Sequence, residues 1–117
     1  EEEGEFAARM REMEQLRTGL AEGLAAIPGL RVHPGEGNFV LVDVSESGRR
    51  APDIVAELLR QGVLIRDLSA HHATQNHVRV TVGARADNER CVSSFARMMV
   101  DRAAKERPAY VSLGDAE

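Results

Sequence analysis

Two arginines lie in or next to short apolar runs that are typical of β-strands. Arg66 follows the run Val63 to Ile65, and Arg79 lies inside the run Val78 to Val82. A guanidinium group that is buried without a partner costs several kcal/mol, so an arginine in a strand either faces water or meets an anion. We therefore predict that Arg66 and Arg79 bind an anionic ligand, and that the rest of the chain positions them.

Each arginine also has a simpler interpretation. Arg79 could pair with a carboxylate on the same sheet face, such as Asp43, and Arg66 could pair with the adjacent Asp67. Both alternatives stay open from the sequence.

The polar loop between these strands contains His71 and His72. Two adjacent histidines in a loop point in different directions and make a poor metal site. His33 and His77 are too scattered in the sequence to complete one. We therefore predict no metal ligand, and we expect a solvated loop or the rim of a ligand site.

The composition narrows the function classes. The chain has 117 residues and a net charge of −4, which fits one domain without a nucleic-acid-binding surface. The single cysteine, Cys91, excludes an internal disulfide and a cysteine-rich zinc site, and its apolar neighbours predict a buried thiol.

Neither a signal peptide nor a run of ~18 apolar residues is visible, so we expect a cytoplasmic protein that does not bind membranes. The start at Glu1, without a methionine, suggests a piece of a longer protein.

Hydrophobic periodicity and turn residues give the order of elements α-β-β-α-β-β-α. This order predicts an α+β fold, with an open, mostly antiparallel four-stranded sheet and helices packed on one face. Because both faces of the strand 38–44 are apolar, both should be covered, and the second face indicates a partner that is absent from this sequence. We predict a domain over residues 1–105 and a loose tail over residues 106–117. The predicted helices cover residues 6–27, 52–61 and 86–103, and the predicted strands cover residues 30–33, 38–44, 63–66 and 77–82.

Three segments in this order carry a family resemblance: LAAIPGLRVHPGEGNFVLV, LLRQGVLIRDLS and HVRVTVGARADNER. Together they resemble the C-terminal small domain of fold-type I aminotransferases, which depend on pyridoxal phosphate (PLP). The resemblance is closest to histidinol-phosphate aminotransferases and covers roughly residues 9–102. His71, His72 and Ala84 depart from the pattern of that family.

The resemblance implies roles for matched residues. Arg79 matches the arginine that grips the α-carboxylate of the substrate, and Arg66 matches an arginine that lines the pocket near the phosphate end. Asn38 and Phe39 match a pair at the start of a strand near the active-site cleft. The implied ligand is a small anionic amino acid or amino-phosphate, and the implied assembly is a homodimer.

The PLP-binding machinery is missing from the sequence. PLP forms a Schiff base with a lysine, whereas the only lysine here is Lys105, on a charged face of the last predicted helix. We therefore expect no catalytic or cofactor-binding residue in this chain, and no activity or bound PLP without a separate large domain. Two alternatives remain: a relative of threonine-phosphate decarboxylase, or a free-standing α+β module that binds a small anion or a protein.

Overall fold

The computed structural model describes residues 2–33 and 35–116, with side chains over residues 3–33 and 35–100. Within these residues, three helices and four strands follow the predicted order. The helices are α1 (Glu2–Ala25), α2 (Ala51–Arg60) and α3 (Arg85–Ala116), and the strands are β1 (Arg31–His33), β2 (Phe39–Asp43), β3 (Arg66–Asp67) and β4 (His77–Thr81).

The four strands form one sheet in the order β1-β2-β4-β3. Every neighbouring pair is antiparallel. The predicted α+β class and the open antiparallel sheet are therefore confirmed. The sequence did not predict the strand order, in which β4 lies between β2 and β3.

The core lies on one face of this sheet. Side chains alternate along a strand, and the buried set on β2 and β4 is Val40, Val42, Val78 and Val80. Core side chains from all three helices join these valines in one hydrophobic cluster, which includes Leu20, Leu24, Ile54, Leu58 and Phe95.

The opposite face of the sheet, which we call the open face, carries the alternate residues of the same strands. On β2 these are Phe39, Leu41 and Asp43, all half-buried. The described part of the chain buries only the valine face, so the partner expected to cover the second face of β2 stays a prediction. The helices therefore pack on one face, as the fold prediction required.

Helix α2 ends where the sequence predicts, and β3 begins later than predicted. Gly62 has a φ of 82°, the left-handed conformation that commonly terminates helices. The N–H of Val63 donates to the carbonyl of Leu58 at 2.8 Å. Because the backbone of Val63 is hydrogen-bonded to the C-terminal end of α2, the strand predicted at 63–66 is confined to Arg66–Asp67.

Helix α1 contacts α3 at a glycine. A Cβ on Gly23 would lie 2.9 Å from Cγ2 of Val92, whereas a Cβ on Gly19 would meet nothing within 4 Å. Gly23 is therefore a point of close helix approach, and Gly19 is not. The predicted apolar stripe of α1 is buried only in its second half, because Phe6 and Met10 are exposed.

Two predictions involve residues whose position or side chains lie outside the description. Pro34, in the turn predicted at 34–37, is one of them. Helix α3 continues past the end predicted near Ala103, but its side chains from residue 101 onward, including that of Lys105, are outside the description. The division between a domain of 1–105 and a tail of 106–117 therefore stays a prediction. Among the residues that the structure describes, no helix combines the length and the hydrophobicity of a membrane span.

Candidate functional site

Arg66 and Arg79 are directly opposite each other in the sheet. Arg66 of β3 is the register partner of Arg79 of β4, which places both side chains on the open face. They line one shallow concavity, together with Leu64 and Thr81. The polar loop that separates the two arginines in sequence is therefore the connection that brings them together.

This arginine pair has no carboxylate partner among the side chains of residues 3–33 and 35–100. The ion pairs in that part of the chain join Arg31 to Glu46 at 3.8 Å and Arg60 to Glu57 at 2.6 Å. Like charges that face each other across two strands destabilise the pairing. The sheet therefore carries a concentrated positive charge here, which an anion would relieve.

Neither simpler interpretation of the arginines is realised among the described side chains. Asp67 is the register partner of Val78, on the buried side of β4, and its Oδ1 accepts a hydrogen bond from the N–H of Ser69 at 2.9 Å. Asp43 is the partner of His77, and Leu41 is the partner of Arg79. Asp67 and Asp43 therefore leave both guanidinium groups available.

Phe39 supports the guanidinium group of Arg79. The Cζ atom of Arg79 lies 5.7 Å from the centroid of the Phe39 ring, within the range of a cation–π interaction. The preceding residue, Asn38, accepts a hydrogen bond at its carbonyl from the N–H of Val82 at 2.7 Å. Phe39 therefore supports Arg79 on the open face, and Asn38 joins the start of β2 to the residue that follows β4.

A second polar cluster lies on the open face, and the sequence analysis missed it. Nε2 of His33 is 3.2 Å from Nε2 of His77, and ligand atoms of His33, Asp43 and His77 lie within 4.8 Å of one another. His33 and His77, which are scattered in the sequence, lie together because β2 lies between β1 and β4. Only strand register could have revealed this cluster.

The carboxyl group of Asp43 has a pKa below its usual value. The Ser45 side chain is the largest cause, and the Ser45 backbone N–H, which donates to Oδ1 at 2.9 Å, also lowers this pKa. Partial burial opposes the shift, whereas His77 and His33 add to it. Asp43 is therefore a carboxylate at neutral pH, facing two imidazole rings.

Two asparagines fix the segments that carry these sites, and nothing in the sequence distinguished them. Asn88 is buried, and its amide accepts from the N–H of Gly83 at 2.8 Å and donates to the Gly83 carbonyl at 3.0 Å. Asn76 has a φ of 56°, and its Oδ1 accepts from the N–H of Ala51 at 2.8 Å. These amides anchor the two ends of β4, the strand that carries Arg79 and His77.

Comparison with known proteins finds relatives by sequence, although no family model matches the chain. The chain is 44% identical over 80 residues to a histidinol-phosphate aminotransferase of Anaeromyxobacter sp., covering 68% of this chain and 21% of the relative. It is 39% identical over 97 residues to a CMP-5'-(3-aminopropyl)phosphonate synthase of Streptomyces rubellomurinus, covering 80% of this chain and 15% of the relative. The chain spans about a fifth of the length of such relatives.

Solved structures share the fold. The histidinol-phosphate aminotransferase of Clostridium acetobutylicum matches with a TM-score of 0.69 at 19% identity, over 76% of this chain and 27% of that one. The L-threonine-O-3-phosphate decarboxylase of Porphyromonas gingivalis also matches with a TM-score of 0.69, at 22% identity and the same coverage. The resemblance predicted from the three sequence segments is confirmed.

Proposed function

Because this chain is similar to a segment of histidinol-phosphate aminotransferases, we propose that it is the substrate-binding small domain of a PLP-dependent aminotransferase. In this proposal Arg79 binds the carboxylate of an amino-acid or amino-phosphate substrate, and Arg66 binds a second anionic group such as phosphate. The observation that carries the proposal is the pairing of these arginines on the open face, where neither forms an ion pair with a carboxylate among the described side chains.

The groups that would hold PLP lie elsewhere in this proposal. PLP is anchored through a lysine, and residues 3–33 and 35–100 contain none. When bound, PLP supplies the electron sink for the chemistry at the substrate amine. The residues of this chain would bind and orient the substrate, and closure of the domain over a PLP-bearing large domain would exclude water. We propose a homodimer as the assembly, as in the resembling family.

The first test is Arg79→Ala in an intact enzyme that contains this chain. Hydrogen bonds to charged groups contribute about 1.5–3 kcal/mol each, so the loss of a two-point contact should raise KM for the amino donor more than about tenfold. Arg79→Lys should recover only part of this loss, because an ammonium group lacks the planar two-point geometry. Steady-state kinetics with the amino donor as the varied substrate measure both effects.

The matched control for this test is Arg31→Ala. Arg31 is an exposed arginine of edge strand β1, and its ion pair with Glu46 is long and solvated. Its removal should leave KM unchanged. An Arg79→Ala enzyme with the KM of the unmodified protein would contradict the assigned role.

A second test uses inorganic phosphate as the probe and needs no catalysis. Phosphate that binds the arginine pair only in the folded state stabilises the chain by RT ln(1 + c/Kd), where c is the phosphate concentration. The melting temperature of the chain should rise with phosphate concentration at constant ionic strength, and the rise should disappear in Arg66→Ala/Arg79→Ala. Without phosphate, the double variant should be at least as stable, because like-charge repulsion is removed. An equal phosphate response in both proteins would count against an anion site.

The related decarboxylation remains a second candidate reaction. The decarboxylase and aminotransferase structures match this chain with the same TM-score of 0.69, so the fold does not separate the two reactions. Transamination requires a keto-acid acceptor, whereas decarboxylation does not. Assaying the intact enzyme for product with and without 2-oxoglutarate distinguishes the two activities.

A further inference from the structure

We infer that His33, Asp43 and His77 form a binding site for a divalent transition metal of the zinc class on the open face. The three side chains come from three neighbouring strands, β1, β2 and β4. Their ligand atoms, one per residue, lie within 4.8 Å of one another. Two imidazole nitrogens and one carboxylate oxygen are a donor set that zinc accepts.

The orientation of His77 suits a metal ligand. Nδ1 of His77 lies 2.8 Å from the carbonyl oxygen of Gln75. A carbonyl oxygen only accepts, so Nδ1 carries the proton, and Nε2 of the neutral ring presents its lone pair toward His33. Metal-bound histidines usually donate their second nitrogen to a carbonyl or carboxylate in this way.

The distance between the two imidazoles fits a shared ion. Two nitrogens that each lie about 2.05 Å from a tetrahedral zinc are about 3.3 Å apart, and the observed Nε2–Nε2 distance is 3.2 Å. The rings are nearly parallel, at 11°, with centroids 5.2 Å apart. His33 need only carry its proton on Nδ1. The Asp43 carboxylate, whose ligand atom lies within 4.8 Å of both nitrogens, must move closer to reach a Zn–O distance of about 2.0–2.2 Å.

A direct hydrogen bond explains the same nitrogen–nitrogen contact without a metal. In that state Nε2–H of His33 donates to Nε2 of His77. The anionic Asp43, whose carboxylate accepts from the N–H of Ser45, favours a bound metal ion over the histidine pair. Its negative charge attracts a cation, whereas a hydrogen bond between two neutral imidazoles requires no charge nearby. This choice between a metal site and a histidine pair is what the experiment must decide.

A metal here would tie three strands together. The site is on the exposed side of the sheet, with His33 exposed and Asp43 and His77 half-buried, so a fourth coordination position faces outward. Arg79 is on the same face of β4, two residues along from His77. A bound cation would therefore increase the positive charge of the face that carries the arginine pair. Metal binding by these three side chains is independent of the proposed aminotransferase function.

The test is titration of the full chain, without a histidine tag, with zinc chloride by calorimetry and with cobalt chloride by visible absorption. One equivalent should bind, and the melting temperature should rise with zinc because the ion binds the folded state. His33→Ala and Asp43→Asn should each weaken binding more than about tenfold, since even outer-shell partners contribute 10–100-fold. His33 is exposed on an edge strand, so its removal should leave the fold intact.

The chain supplies a matched control. It has four histidines, and His71 and His72 are exposed and lie outside the cluster. His71→Ala/His72→Ala should bind zinc as the unmodified chain does. Equal affinity in the unmodified chain and His33→Ala, or loss of binding in the control, would overturn the inference. Nitrogen-15 shifts of the imidazoles give an independent readout: zinc should move Nε2 of His33 and His77 and leave His71 and His72 unchanged.

Discussion

The thiol of Cys91 illustrates how a single buried side chain couples stability to pH. Cys91 is buried in the main hydrophobic cluster. Burial disfavours the charged thiolate and raises the pKa of Cys91 from 9.0 to about 11. The unfolded chain therefore loses this proton at a lower pH than the folded chain does, and the thiol is a packing group without nucleophilic character near neutral pH.

We predict that the free energy of unfolding falls between pH 9 and about pH 11 through Cys91. Stability is fully present below the unfolded pKa and is lost as the pH rises toward the folded one. Two pKa units correspond to roughly 3 kcal/mol. Urea unfolding at several pH values measures the loss, and Cys91→Ala should show a smaller decline across that window. Equal slopes in the two proteins would contradict a raised pKa.

At the residue scale, the sequence revealed chemistry but not proximity. The position of Arg79 within an apolar strand already predicted that its guanidinium group contacts water or an anion. That Arg66 is its direct partner follows only from the pairing of β3 with β4. His33 and His77 show the same limit, because 44 positions separate them in sequence. Side-chain types are local information, whereas register between distant strands is not.

At the element scale, Asn76 joins several segments. Its Oδ1 accepts from the N–H of Ala51 at 2.8 Å, and its Nδ2 donates to the carbonyl of Arg49 at 3.2 Å. Its own carbonyl accepts from the N–H of Val44 at 3.0 Å. Arg50 is the N-cap residue of α2, and its side chain makes no capping hydrogen bond to the helix. The start of α2 therefore depends on a residue next to β4.

We predict that the unmodified protein is the most stable of three, that Asn76→Gly is less stable, and that Asn76→Ala is the least stable. Both variants leave the N–H of Ala51 without its acceptor, at a cost of about 1–3 kcal/mol. Asn76→Ala should be destabilised by about 1–2 kcal/mol more than Asn76→Gly, because a Cβ is strained at the positive φ of 56° and glycine has none. Chemical denaturation measures all three proteins.

The neighbouring Gln75→Ala serves as the control for this series. Gln75 is exposed, and its side chain donates one solvated hydrogen bond to Ser69. Its removal should change stability by no more than about 0.5 kcal/mol. If the glycine and alanine variants at position 76 were equally stable, the left-handed backbone would not be the cause of any loss.

The elements themselves were largely predictable. Spacing of apolar residues, Pro52 in the first turn of α2 and Gly62 at its end gave the correct order and approximate bounds. Strand order was not predictable, because the alternation in β2 and β4 is satisfied by any antiparallel neighbour. The length of β3 was also missed, since the hydrogen bond from Val63 to Leu58 depends on the geometry of the preceding helix end.

At the scale of the whole molecule, the sheet has one packed face and one open face, and the open face carries both candidate sites. The packed face holds the valines of β2 and β4, and the open face holds the arginine pair and the histidine cluster. The chain spans about a fifth of the curated relatives it matches. In the proposed function, the remaining length of such a protein supplies PLP binding and covers surfaces that this chain leaves exposed.

The first half of α1 is one such surface, and it gives the last prediction. Phe6 and Met10 are 61% and 50% exposed and lie four residues apart, on one side of the helix. The isolated chain should therefore bind an apolar fluorescent dye, and Phe6→Gln/Met10→Gln should reduce the fluorescence while changing stability by less than about 0.5 kcal/mol. Leu59→Gln, at an exposed leucine of α2, is the control and should leave most of the signal. Dye fluorescence that is weak in the unmodified chain, or unchanged in the double variant, would favour a free-standing module over a domain that packs against a larger one.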